Sequence, residues 1–182
     1  MALKRAKFLV ALALPMALVA CGGGSEGAEK SDTALANVAA PAGKAWSKTV
    51  TMTEEGGFRM GNPDAPLKLV EYASLVCSHC RDFKKEAFPE LTQMVDSGRL
   101  SFEMRTFMIG PHDIAPTVIA RCAGGADRFF PLMSAWYDDW DANMEKIMAV
   151  TKDEAKLASL NTMTPDKAGA ELGRLGGVVD FY

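Results

Sequence analysis

The residues best equipped for chemistry are Cys77-Ser78-His79-Cys80, two thiols with an imidazole between them. They fall where an apolar run, Leu67 to Tyr72, hands over to a helical pattern that starts at Ser78. A helix N-terminus presents unpaired N–H groups and a partial positive charge, both of which favour a thiolate over a thiol. Residues three apart on a helix share a face, so the two sulfurs reach disulfide distance. Cys77 is then the exposed attacker, and Cys80, further into the helix, resolves a mixed disulfide. His79 adds a donor or positive charge near the thiolate, which stabilises the reduced pair and makes its disulfide more oxidising. Two other readings stand beside this one, a structural clip and half of a zinc site. A zinc site asks for four ligands, and only Cys122 and His112 remain to complete it, so no metal or other cofactor is expected.

The elements that must position this pair are legible on either side of it. Gly61-Asn62-Pro63-Asp64-Ala65-Pro66 is turn chemistry, and Leu67 to Tyr72 then predicts a buried strand. Phe83, Ala87, Leu91 and Val95 recur every four residues, which predicts a helix from Ser78 to about Asp96, kinked at Pro89 and ended by Gly98. Leu100 to Met108 alternates and predicts a second strand. Strand, helix and strand in that order form a right-handed parallel βαβ unit. Helices follow over Thr117 to Ala123, about Asp127 to Met148, and between Lys152 and Leu175 with a break near Pro165. Trp136, Tyr137 and Trp140 sit at helical spacing and are assigned to the core. Glu71 shares a strand face with Leu67 and Leu69, which leaves burial with a raised pKa and a partly solvated carboxylate both open.

The N-terminus sets the compartment. Lys4, Arg5 and Lys7 precede an apolar run from Phe8 to Val19, and Leu18-Val19-Ala20 leads into Cys21. A basic patch, a short apolar stretch and small residues at the cut are the layout of a secretory signal peptide. The apolar run falls short of the roughly 20 residues that span a bilayer. Leu-Val-Ala-Cys resembles the bacterial lipobox, so residues 1–20 are expected to be removed and Cys21 lipidated. Export permits disulfides. Of the four cysteines, lipid is expected to take Cys21, the motif takes Cys77 and Cys80, and Cys122 is left as a buried small hydrophobe, with a regulatory or intermolecular thiol as the alternative. Gly22 to about Lys44 is Gly-, Ala- and Ser-rich without periodicity, and reads as a tether; Trp46 to Met60 is transitional, with a short edge strand expected at Thr49-Val50-Thr51-Met52. The 182 residues, 48% hydrophobic with a formal charge of -3, suit one domain and give no reason to expect nucleic acid as a partner.

Gly61 to Pro66, Leu67 to Tyr72, Cys77-Ser78-His79-Cys80-Arg81-Asp82-Phe83 and Ile119-Ala120-Arg121-Cys122-Ala123-Gly124 together resemble DsbA-type thiol:disulfide oxidoreductases, over about Phe58 to Met148. The resemblance implies an α/β thioredoxin-like βαβ core with a helical insertion. It implies an enzyme that oxidises or shuffles disulfides in exported proteins, on the periplasmic side of the cell envelope. Cys77 carries over as nucleophile, Cys80 as resolving partner and His79 as thiolate stabiliser. Glu71 stands where the family often has a buried acid that relays the resolving cysteine's proton. Ser78 replaces a proline common there and leaves the redox poise open. Implied partners are exported proteins with cysteines, a membrane or periplasmic redox partner, and the membrane through the lipid.

The family's second half, a β-hairpin, a cis-proline loop and a final helix, is expected to be absent before Tyr182, because none of Pro111, Pro116, Pro131 or Pro165 begins a credible strand. The expected organisation is a signal peptide over 1–20, a lipidated cysteine and tether over 21–57, and a partial thioredoxin-like domain over 58–182. The strand before the cysteines is then expected to keep an open edge. A truncated product, a chain complemented by another polypeptide and a fragment of an intact protein all fit that expectation. A static disulfide module that binds an envelope partner and a thiolate metal carrier using Cys77, Cys80, His79 and Cys122 remain as alternative functions.

Overall fold

A computed structural model of the chain describes residues 35–122 and 124–178. The expected signal peptide, Cys21 and the first part of the expected tether lie outside the described residues. Four strands form one sheet: β1 (Val50–Met52), β2 (Phe58–Gly61), β3 (Leu67–Ala73) and β4 (Leu100–Thr106). The order across it is β1-β2-β4-β3. β3 and β4 run parallel from Leu67 opposite Leu100 to Ala73 opposite Thr106, while β2 lies antiparallel to β4 with Phe58 opposite Met104.

The parallel pair is joined by α1 (Ser78–Asp96), which runs through Pro89 as one helix. Its Leu91 and Val95 are buried in the same core as the sheet residues Phe102 and Met104, which are themselves fully enclosed. Burying an aromatic or branched side chain of this size contributes roughly 1.5–3 kcal/mol. Aromatic contacts extend this core toward the helices. Phe58 stacks on Phe129 at 4.0 Å, and Phe102 and Phe130 meet at 5.8 Å.

The helical part is α2 (Ile114–Cys122), α3 (Phe129–Asp138), α4 (Trp140–Lys152), α5 (Glu154–Leu160) and α6 (Pro165–Leu175). The single helix expected over about Asp127 to Met148 is two, because Asp139 leaves helical geometry (φ -105°, ψ 23°) and the chain turns there. Pro165 opens α6 as its first residue, where a missing N–H costs nothing. α6 packs closely on α2 because Gly169 and Gly173 face Ile114 and Ala115, where a Cβ would collide with both.

Two expectations change. β3 was expected to be buried, yet Leu67, Leu69, Val70 and Tyr72 are 41%, 39%, 40% and 63% exposed. The physical reason is its place at the rim of the sheet, where among the described residues β4 flanks it on one side only, the open edge that was expected of it. The described part of the expected tether also differs. Trp46 is buried and its indole N–H donates to the Val38 carbonyl at 2.8 Å, while the Val38 N–H donates to the Ser97 carbonyl at 2.9 Å. Val50–Met52 then adds β1 to the sheet, so residues from Val38 onward are fastened to the domain.

Candidate redox site

The site is built where β3 ends. Ala73, Ser74 and Leu75 are buried, and the chain then rises through Val76 to Cys77, the N-cap of α1. This short link is clamped by one carboxylate. Asp113, with no exposed surface, accepts from the Ser74 hydroxyl at 2.9 and 2.8 Å, the Val76 N–H at 3.3 Å and the Ile109 N–H at 2.8 Å. Its charge is therefore shared among donors from two separate segments, which is what makes a buried carboxylate tolerable.

The link's carbonyls are held from the other side by α3 and α4. The Tyr137 hydroxyl donates to the Ser74 carbonyl at 2.9 Å. Trp136 and Trp140 both donate their indole N–H to the Leu75 carbonyl, at 2.7 and 3.1 Å. The Cys77 N–H also donates to the Ser74 carbonyl, at 3.2 Å. Arg81, in the first turns of α1, pairs with Asp141 at 3.0 Å and lies 4.6 Å from the Trp140 ring centre. The cysteine turn is thus fixed to β3 below and to the helical part beside it.

Cys77 has extended backbone (φ -85°, ψ 121°), and its carbonyl accepts the Arg81 N–H at 3.2 Å, the first bond of the helix. Its sulfur therefore sits at the positive end of α1. Both cysteines are free thiols and half-buried, and Cys77 is among the neighbours that raise the pKa of Cys80. His79, between them, is exposed.

Electrostatics separate the groups. Burial pushes the Cys80 thiol up to about 11, opposed by a backbone hydrogen bond with Ser74 and reinforced by Cys77 and the charge of Glu71. Burial also pushes Glu71 up to about 7. Glu71 is thus half-buried, between the two readings the sequence left open, and its partial burial favours the protonated form. The Tyr137 hydroxyl is held protonated, first by burial and then by the neighbouring charges of Cys80, Glu71 and Cys77. Glu71, Cys77, Cys80 and Tyr137 therefore share one electrostatic neighbourhood.

The sequence reading missed Asp113, Ser74, Tyr137, Trp136 and Trp140 as positioning residues. A signal existed for the aromatics, since buried Trp and Tyr need partners for their N–H and O–H. The carbonyls just before a helix are a ready source of such partners. Nothing local marked Asp113, because the segments it ties are brought together only by the sheet.

Cys122 is exposed at the last residue of α2, not buried as expected, because the helix ends there at the surface. Among the described residues no three His, Cys, Asp or Glu side chains converge in a metal-binding cluster. His112 and Cys122 accordingly do not complete a ligand set with the pair.

Comparison with known proteins agrees with this geometry. A family model described as thioredoxin matches residues 53–171. A Rickettsia bellii protein named "Putative protein-disulfide oxidoreductase" is 31% identical over 83 residues, covering 45% of this chain and 32% of the relative. A Rickettsia conorii relative of the same description is 28% identical over 86 residues, covering 47% of this chain and 31% of its own. The chain spans about a third of the length of these curated relatives. Among solved structures, a protein-disulfide isomerase from Novosphingobium aromaticivorans superposes with a TM-score of 0.60 at 28% identity, covering 69% of this chain and 63% of that one. With the matched segment running from before β2 to within α6, and the cysteine pair opening the first helix of a parallel βαβ unit, the chain belongs to the thioredoxin family.

Proposed function

We propose that this chain is a thiol:disulfide oxidoreductase acting on cysteines of exported proteins, anchored by a lipid on Cys21 to the periplasmic side of the cell envelope. The observation that carries the catalytic part is the division of labour between the sulfurs. Cys77 caps α1 at its positive end, while Cys80 is held as a thiol to about 11 beside a carboxyl that titrates near 7.

Starting from the Cys77–Cys80 disulfide, a substrate thiolate attacks the Cys77 sulfur. The S–S bond breaks, its electron pair goes to Cys80, and a mixed disulfide with Cys77 forms. Cys80 leaves as a thiolate and takes up a proton, which the neighbouring Glu71, its pKa raised by burial, supplies. A second substrate thiolate then attacks the substrate sulfur, releasing the substrate disulfide and the Cys77 thiolate. The pair has gained two electrons, which a membrane or periplasmic redox partner removes to restore the disulfide. His79, exposed beside the pair, stabilises the Cys77 thiolate by charge or hydrogen bonding. The lipid anchor, export and the redox partner rest on the residues of the N-terminus and on the family resemblance.

The test is substitution of each cysteine in the full chain. Cys77→Ser abolishes oxidation of a reduced test protein, and Cys80→Ser accumulates mixed disulfides through Cys77, visible by mass under non-reducing conditions. Unchanged oxidation by both variants contradicts the proposal. A static disulfide module predicts no mixed disulfide from Cys80→Ser, so the same experiment separates the two.

A further inference from the structure

Ser74 is the first residue beyond β3, it is buried, and each of its polar groups has a defined direction. Its hydroxyl donates to the Asp113 carboxylate, 2.9 and 2.8 Å from the two oxygens, and accepts the Val76 N–H at 3.1 Å. Its carbonyl accepts the Tyr137 hydroxyl at 2.9 Å and the Cys77 N–H at 3.2 Å. The direction of its own N–H follows from the peptide unit it shares with Ala73. That unit is trans and planar, so its C=O and N–H point opposite ways. The Ala73 carbonyl accepts the Phe107 N–H at 2.8 Å, on the side of β4. The Ser74 N–H therefore points away from β4, and its hydrogen bond goes to Cys80.

This contact favours one form of the sulfur. An N–H hydrogen bond stabilises a thiolate more than a thiol. Of the influences on Cys80, burial, Cys77 and Glu71 disfavour the anion, and the Ser74 backbone favours it. An amide just past the end of a strand moves with the loop that follows unless something fixes it. Here Asp113, with no exposed surface, fixes Ser74 by its hydroxyl, and Tyr137 fixes it by its carbonyl. A hydrogen bond weakens steeply as its angle closes, so the aim of this N–H decides what it contributes.

We propose that the Ser74 side chain, anchored on Asp113, is a positioning group for the resolving sulfur: it aims the Ser74 N–H at Cys80, so that this sulfur departs as an anion when a substrate thiolate opens the disulfide. This role rests on the redox reading of the pair and specifies one of its steps. The substrate sulfur bonds to Cys77, the Cys77–Cys80 bond breaks, and its electron pair stays on Cys80. The Ser74 N–H holds that charge until the proton from Glu71 arrives. The Cys77 anion is favoured instead by the start of α1, so loss of the Ser74 hydroxyl separates the two sulfurs.

The test uses the full chain with Ser74→Ala, and with Ser74→Thr, which keeps the hydroxyl. The Asp113 charge stays in place in both, so any difference reads the aim of the N–H. In a Cys77→Ser background, Ser74→Ala raises the alkylation midpoint of Cys80 by about half a pH unit, a thiolate fraction about threefold smaller. In a Cys80→Ser background the same change leaves the Cys77 midpoint where it was. With both cysteines present, reduced glutathione opens the disulfide at least about twofold more slowly in Ser74→Ala, because the leaving thiol is less acidic. Ser74→Thr restores both values. A side chain that served the fold alone would affect both sulfurs alike or neither. Unfolding midpoints show that the variants are folded. Should Ser74→Ala unfold, the amide proton resonance of Ser74 in the Cys77→Ser variant decides the matter, and it moves downfield as Cys80 ionises. Equal shifts at the two cysteines, or a Ser74 resonance that ignores Cys80 ionisation, overturns this role. So does a Ser74→Ala disulfide that opens as fast as a reactive wild type. A wild-type disulfide that glutathione does not open overturns the redox reading and this step with it.

Discussion

The proton held by Glu71 has a measurable consequence for stability. In the unfolded chain this carboxyl ionises near 4.5, whereas burial raises it to about 7 in the folded domain. Between those values the folded state binds a proton that the unfolded state has released, so stability falls as pH rises through the window. Below 4.5 both states are protonated and the group contributes nothing; above 7 the whole cost is present. A shift of this size corresponds to about 3 kcal/mol, and partial exposure at the sheet rim reduces it to about 2 kcal/mol. Glu71→Gln keeps the shape and removes the ionisation. Denaturant unfolding of the reduced wild type and variant, compared across pH, therefore shows no difference in pH dependence below 4.5 and a growing advantage for the variant up to about 7, constant beyond. All other titrating groups are common to both proteins and cancel. An advantage that does not change with pH, or a variant that loses stability as pH rises, refutes the burial of this carboxyl.

The clamp on the cysteine turn gives further expectations. Asp113→Asn presents N–H groups to donors that need an acceptor, and costs about 2–3 kcal/mol in denaturant unfolding; a change under half that size means the carboxylate does not hold the turn. Tyr137→Phe deletes only the hydroxyl on the Ser74 carbonyl and costs about 1 kcal/mol, read in the same assay. In the Cys77→Ser variant the remaining Cys80 titrates below about 11, because the cysteine neighbour that raises it is gone, and adding Glu71→Gln lowers it again; thiol alkylation rates against pH read both steps. Gly169→Ala drives a Cβ into Ile114, forces α6 off α2 and costs about 1–3 kcal/mol, while the same change at Gly110 meets only an ordinary contact with His112.

How far the sequence could be read depended on whether the determining interactions are local. α1 from Ser78 to Asp96 and the parallel strands on either side were legible because periodicity and turn residues are properties of neighbours in the chain. The placement of Cys77 at the helix start followed from the same signals. Exposure of β3 was not legible from its composition, since Leu67-Lys68-Leu69-Val70 suits a buried strand and only the strand order leaves it at the rim. The break at Asp139 also escaped, because apolar spacing continues across it through Trp136 and Trp140. Asp113 is the clearest case of a positioning residue invisible to pattern. Its partners Ser74 and Val76 lie 39 and 37 residues away and meet it only once β3, α1 and β4 are assembled. Residues 38–44 read as tether because Gly, Ala and Ser dominate that stretch, while one tryptophan just after it, Trp46, was enough to pin the segment to the domain; the edge strand at Val50–Met52 was legible from Thr49-Val50-Thr51-Met52.

The central claim, that Cys77 and Cys80 exchange a bond with other thiols, is tested most directly by the reduction potential of the pair, measured by equilibrating the full chain with glutathione and counting free thiols by mass. The account predicts a disulfide that glutathione reduces, with a potential between about -270 and -120 mV, the range of catalytic pairs at helix starts. A bridge that stays oxidised below about -300 mV, as structural disulfides do, would contradict it.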